Sequence, residues 1–199
     1  MPLTVRLALG TDAEAIRGIY NQEVLGSTVT FDLVPRGLET QVAWLAAHDG
    51  AHPATVATDE AGEVVGFGSL SPWRSRPAYN TSVEDSVYVR DDQRSQGVGR
   101  LLLADLVERA RAHGFHAVFA RIVGGHQASI ALHVALGFEV AGVEREVGRK
   151  FGRWLDVVVM ELILGGGQAL SRTPSHRDPG AHTAVGPAEP ALGRPTPAC

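Results

Sequence analysis

The sequence predicts an α/β domain with a central, mostly antiparallel sheet and flanking helices. Apolar residues alternate with polar ones over several short segments and recur every three to four residues over others. The order of these segments is strand, two helices, three strands, helix, strand, helix, two strands. Three strands in succession argue for a meander and against a doubly wound parallel sheet. The composition, 44% apolar and 20% charged over 199 residues, is that of a globular domain able to bury its own core.

Val5 and Leu7 alternate with polar neighbours as a first strand. Thr11-Asp12-Ala13-Glu14 has the form of a capping box, and Ile16, Ile19, Tyr20 and Val24 follow on one helical face. A second helix is expected near 39–48, carrying Val42, Trp44 and Leu45. Ala54–Asp59 and Val64–Leu70 read as strands joined by a Glu60-Ala61-Gly62 hairpin turn, and Val83–Val89 as the next strand. Leu102, Leu103, Leu106, Val107 and Ala110 fall at helical spacing, with Gly114 as the stop. A strand over Ala117–Ile122, a helix over Gln127–Leu136 and strands near 138–146 and 154–163 complete the domain.

Composition breaks after Leu164. Residues 165–199 open on three glycines and hold six of the eleven prolines, with no aromatic residue, Ile or Met. Such a segment buries too little to offset its ordering entropy, so the expected division is a domain over 1–164 and a disordered tail over 165–199.

Several function classes are excluded. The net charge is −4 with no basic block, which argues against nucleic-acid binding. No segment suits a membrane span or a signal peptide, so the expected location is the cytoplasm. The single cysteine, Cys199, supports neither a disulfide scaffold nor a cysteine metal site. His113 and His116 flank Gly114 without a third ligand, so no metal is expected.

The stretch from Val87 to Arg100 carries the chemistry. A strand, Val87-Tyr88-Val89, runs into Arg94-Ser95-Gln96-Gly97-Val98-Gly99-Arg100, a glycine-containing turn that opens a helix. Unpaired N–H groups at a helix start bind phosphate, and glycines allow close approach. A P-loop is excluded because Arg100-Leu101 follows Gly99 where Lys-Ser/Thr is required. A dinucleotide fingerprint is excluded because only two glycines are present, in mid-chain. On spacing alone, a phosphate cradle and a plain strand-to-helix turn fit equally well.

Arg94-Ser95-Gln96-Gly97-Val98-Gly99 resembles the Arg/Gln-x-x-Gly-x-Gly/Ala signature of the GCN5-related N-acetyltransferases, and the element order matches that fold from Leu3 to Leu164. The resemblance implies a mixed sheet with a splayed strand pair. It implies acetyl-CoA as co-substrate, its pyrophosphate on residues 94–99 and its pantetheine along Val87, Tyr88 and Val89. It also makes the Val89 N–H a candidate donor to the thioester carbonyl. Trp73-Arg74-Ser75-Arg76, Tyr79, Val83-Glu84-Asp85-Ser86-Val87-Tyr88-Val89, Ala128–His133 and Gly152–Asp156 resemble the phosphinothricin and methionine sulfoximine acetyltransferases. This implies a small amino acid analogue as acceptor and a homodimer.

A general base must free the acceptor amine, and Glu84, a carboxylate within an apolar strand, is the candidate. Arg76, with Arg74 and Tyr79, is placed to bind an anionic acceptor, and Phe31 to wall its pocket. Trp73 reads as a packing residue. Ser129 and His133 lie four apart on one helix face; His133 is the candidate acid or a contact to CoA. His126 stands where the subfamily often has Asn. A peptide N-terminus or polyamine acceptor, and a non-catalytic acyl-CoA sensor, are the alternative readings.

Overall fold

The structure, a computed structural model, describes residues 2–165. The expected tail lies outside the described residues, apart from Gly165.

The strands are β1 (Thr4–Leu7), β2 (Ala54–Thr58), β3 (Val64–Pro72), β4 (Ser82–Val89), β5 (Ala117–Val123), β6 (Glu139–Lys150) and β7 (Arg153–Ile163). The α-helices are α1 (Ala13–Gly26), α2 (Leu38–Ala46), α3 (Val98–Ala112) and α4 (Gln127–Val134). One seven-stranded sheet runs in the order β1-β2-β3-β4-β5-β7-β6. Every pairing is antiparallel except β4 with β5, which α3 connects.

Alternation along the strands sends side chains to two helical layers. Val56 and Phe67 pack with Ile16, Tyr20 and Val24 of α1 and Leu45 of α2. On the opposite face Val83, Val118 and Met160 pack with Leu103 and Leu106 of α3, and Ile130 and Leu132 of α4 lie against them. The first two helices thus cover the β1–β4 half of their face. Beyond β4 that face carries Phe119 and Arg121 of β5 and Glu144 of β6, aligned through β7 by the strand register.

Two local expectations differ from the structure. The Thr11–Glu14 capping box does not form: Asp12 caps α1 without a side-chain bond. Its carboxylate instead accepts hydrogen bonds from the Leu9 N–H at 2.7 Å and from the Arg6 guanidinium at 2.7 and 2.9 Å. A 3-10 turn over Gly10–Asp12 precedes the helix as a result. The sixth strand also continues past 146, because a bulge between Glu144 and Gly148 lets it resume pairing with β7. Among the described residues, no helix is long and apolar enough to cross a membrane.

The approach of α3 to the sheet depends on Gly66. A Cβ there would lie 2.9 Å from the Tyr88 carbonyl oxygen, 3.0 Å from Val98 and 3.1 Å from Leu102. The backbone contact cannot relax by rotamer change. Gly66→Ala is therefore predicted to destabilise the fold by about 1–3 kcal/mol, the usual cost of overpacking, as read by chemical denaturation. An unchanged midpoint would refute the tight contact.

Candidate active site

Parallel pairing between β4 and β5 stops at Glu84 opposite Phe119. From there the strands diverge around a cavity of about 490 Å³. Residues 85–89 form one wall, residues 120–123 the other, and α4 contributes Ser129, Leu132 and His133. The Arg90 N–H donates to the Val65 carbonyl at 3.0 Å, toward β3. Alternate N–H groups of a strand point to opposite edges, so those of Val87 and Val89 point into the gap.

One end of the cavity is closed by the loop before α3. Arg94, Ser95, Gly97, Gly99 and Arg100 line it. Ser95 and Gly97 have φ of 61° and 87°, and this left-handed backbone turns the chain into α3. Leu101 is the first residue there to donate back within the helix, to the Gly97 carbonyl at 3.1 Å. The N–H groups of Val98, Gly99 and Arg100 therefore form an unpaired helix start, suited to a pyrophosphate. Gly99 fits closely, since a Cβ there would come within 3.3 Å of Leu132. This donor set and the elongated gap suit an acyl-CoA, with its phosphates at α3 and its pantetheine between the strands.

The predicted cofactor residues divide by side-chain direction. Val87, Tyr88, Val89, Arg94, Ser95, Gly97, Gly99, Arg100, His126 and Ser129 all line the cavity. Gln96 and Val98 do not. The Gln96 amide donates to the Asp92 carbonyl at 3.0 Å, and Val98 points into the core at 1% exposure. Arg94 is not a free cation: its guanidinium pairs with Glu23 and, at 2.7 Å, with Asp91.

Glu23 also accepts from the Ser27 hydroxyl, and its backbone carbonyl accepts from Lys150 Nζ at 3.3 Å. Lys150 is buried and donates a second bond to the Thr30 carbonyl at 2.8 Å. Burial lowers the Lys150 pKa, opposed by the charges of Asp32 and Glu23. These bonds hold the 27–31 loop, which carries Phe31. The Phe31 ring lies over Gly148, where a Cβ would come within 2.2 Å of a ring carbon.

Glu84 lies on the open face of the sheet, immediately before the strands part. Burial pushes its carboxyl up to about 7; Arg121 opposes this, Asp85 and Glu144 add to it, and Arg74 opposes it. Trp73 stacks on Phe119 with ring centroids 4.3 Å apart, and the Arg74 guanidinium lies 4.9 Å from the Trp73 ring centre. Arg74, Arg76 and Tyr79 share a second surface cavity of about 440 Å³.

Sequence reasoning missed Asp85, Glu23 and Arg121 at the cavity wall. Asp85 was legible as the residue facing opposite to Glu84. Its partner is His133: Nε2 lies 3.2 Å from Asp85 Oδ2, and Nδ1 donates to the Ser129 carbonyl at 2.7 Å. Both ring nitrogens face acceptors, an arrangement that favours the doubly protonated ring. Burial alone depresses the His133 pKa, but the hydrogen bond and charge of Asp85, with the Ser129 carbonyl, outweigh it and raise it. Asp85 Oδ1 has no partner among the described residues. Among those residues, no group of three or more His, Cys, Asp or Glu is placed to hold a metal.

The raised His133 pKa stabilises the folded state fully below the unfolded value near 6.5, and this is lost as pH rises through the folded value. Asp85→Asn is predicted to cost about 1–3 kcal/mol at pH 6, with the difference from wild type shrinking toward pH 9. Denaturation curves across that range test it; a pH-independent difference counts against the ion pair.

Comparison with known proteins agrees with this geometry. Residues 5–159 match the family model of the acetyltransferase (GNAT) domain. The chain is 46% identical over 165 residues to an L-methionine sulfoximine/L-methionine sulfone acetyltransferase of Pseudomonas paraeruginosa, covering 82% of this chain and 96% of that one. It is 41% identical over 160 residues to a phosphinothricin N-acetyltransferase of Streptomyces coelicolor, covering 79% and 94%. A phosphinothricin acetyltransferase from Sinorhizobium meliloti, solved in complex with AcCoA, superposes with a TM-score of 0.81 at 40% identity, covering 88% and 95%. The splayed strands, the helix start between them and these likenesses agree: the chain belongs to the GNAT family of acetyltransferases.

Proposed function

We propose that this enzyme transfers the acetyl group of acetyl-CoA to the α-amino group of a small amino acid analogue of the phosphinothricin, methionine sulfoximine or methionine sulfone type. The relatives' names support the acceptor class. The observation that carries the mechanism is Glu84, a half-buried carboxyl with a pKa of about 7 beside the opening between β4 and β5.

Acetyl-CoA supplies an activated acetyl group at its thioester. The α3 N-terminus, with Ser95, Gly97 and Gly99, holds the pyrophosphate, and the Val87 and Val89 N–H groups face the pantetheine and the thioester carbonyl. Glu84 takes a proton from the acceptor's ammonium group, directly or through one water, and the neutral amine attacks the thioester carbonyl; the C–S bond then breaks, CoA leaves, and the proton lost by the new amide nitrogen ends on its sulfur. His133 lines the cavity with both ring protons already held by acceptors. Its role in this proposal is to place positive charge beside the departing sulfur, with Asp85 as its counter-charge.

Arg74 and Arg76 bind the phosphinate, sulfoximine or sulfone end of the acceptor, Tyr79 borders them and Phe31 walls the approach. This concentration of arginine disfavours a polyamine. A cytoplasmic site of action and a homodimer complete the reading. Exposed Val140, Val143, Val147, Phe151 and Trp154 on the β6–β7 hairpin support association through that edge.

Acetyl-CoA consumption with phosphinothricin, methionine sulfoximine, a short peptide and spermidine tests the assignment; turnover of the first two alone is the expected result. Glu84→Gln is predicted to lower kcat by about 10²–10⁴-fold with near-normal acetyl-CoA affinity. The wild-type rate should rise with pH through about 7, as Glu84 loses its proton and becomes able to accept one. Equal rates for wild type and Glu84→Gln would remove Glu84 from the mechanism.

A further inference from the structure

One charged pair on the acceptor face has no part in the chemistry so far. Arg121 lies on β5, two residues beyond Phe119, the in-register partner of Glu84. Strand alternation places it on the same open face as Glu84. Its guanidinium pairs with Glu144 of β6, and the two side chains are 37% and 34% exposed. Arg121 also lines the cofactor cavity, so it borders both the space for the thioester and the proposed base. Of the charges acting on Glu84, that of Arg121 is the largest, ahead of Asp85, Glu144 and Arg74.

The chemistry of an α-amino acid supplies a distance constraint. Its amine and its carboxylate are bonded to one carbon. A cation that binds this carboxylate must therefore adjoin the group that deprotonates the amine. Arg76 lines a separate cavity with Arg74, Ser75 and Tyr79, apart from the gap that Arg121 borders. Those arginines suit the far end of the acceptor, where the phosphinate, sulfoximine or sulfone oxygens accept hydrogen bonds. Arg121 meets the near constraint, and a guanidinium fork matches a carboxylate in two parallel hydrogen bonds. Its present partner is a carboxylate in a half-exposed pair, which contributes little and exchanges readily.

We infer that Arg121 binds the α-carboxylate of the acceptor, which takes the place of Glu144 on the guanidinium. This rests on the α-amino acid reading proposed above and adds a carboxylate subsite that sequence inspection did not reveal. Glu144 then acts as a competitor that holds Arg121 in position between turnovers.

Steady-state kinetics with methionine sulfoximine and with its methyl ester, at saturating acetyl-CoA, test the inference. The ester keeps the amine and removes the carboxylate charge. Arg121→Ala should raise KM for the free acid about 10–100-fold, the loss of one charge-assisted pair, and leave the ester's KM within about 2-fold. Arg121→Lys should recover part of the loss. Glu144→Gln should lower KM for the free acid and leave the ester unchanged. Equal losses for acid and ester, or an unchanged KM for the acid in an active Arg121→Ala enzyme, would overturn the subsite alone. A wild-type enzyme that acetylates neither compound would overturn the α-amino acid reading and the subsite with it.

Discussion

Everything in this molecule's chemistry follows from the point at which two parallel strands stop pairing. At Val83 and Glu84, β4 pairs with both of its neighbours; after Glu84 it pairs only with β3. A strand freed along one edge has donors and acceptors that must find partners elsewhere. Here they face a cavity deep enough for a long, thin ligand carrying amides of its own. The same divergence puts the start of α3 at one end of the gap and Glu84 at the other. In the proposed mechanism, binding and reaction therefore share a single structural cause.

The two faces of β4 divide the work. Residues pointing toward α3 and α4 include Asp85, whose pairing with His133 buries an ion pair against the cavity. Residues pointing the other way include Glu84, whose carboxyl is strained toward neutrality by burial without a close partner. Adjacent carboxylates on one strand thus have opposite fates. One is paired with the His133 ring, and the other is poised to exchange a proton near neutral pH. A related division exists at Glu23, whose carboxylate pairs with Arg94 of the loop before α3 while its carbonyl accepts from Lys150. The loop before α3 and the loop bearing Phe31 meet at that one residue.

The sheet, its element order and the glycine turn before α3 were legible because periodicity and turn chemistry are local properties. So was the position of Glu84 in a strand, one of two adjacent carboxylates among Val, Tyr and Ser. The Asp12 interaction with Arg6 was not legible, since it needs the end of β1 brought beside the start of α1. The engagement of Arg94 by Glu23 joins residues 71 apart in sequence. His133 read as a free acid or cofactor contact because its spacing from Ser129 is visible, while Asp85, 48 residues earlier, is not visibly opposite it. Arg121 sits in a strand whose alternation is plain. Its importance comes from Glu144 and Glu84, contributed by strands that only the folded sheet places alongside.

Lys150 is the only lysine of the chain; the residue is 3% exposed, and its ammonium group donates to two carbonyls. Acetyl thioesters acylate free lysine amines without any catalyst. A protein that concentrates such a thioester at its surface risks modifying itself. This chain presents its solvent-facing positive charge as guanidinium, which does not react in that way. Its one side-chain amine is withheld where it braces the end of α1. Resistance to self-acylation is thus built into the choice of cation.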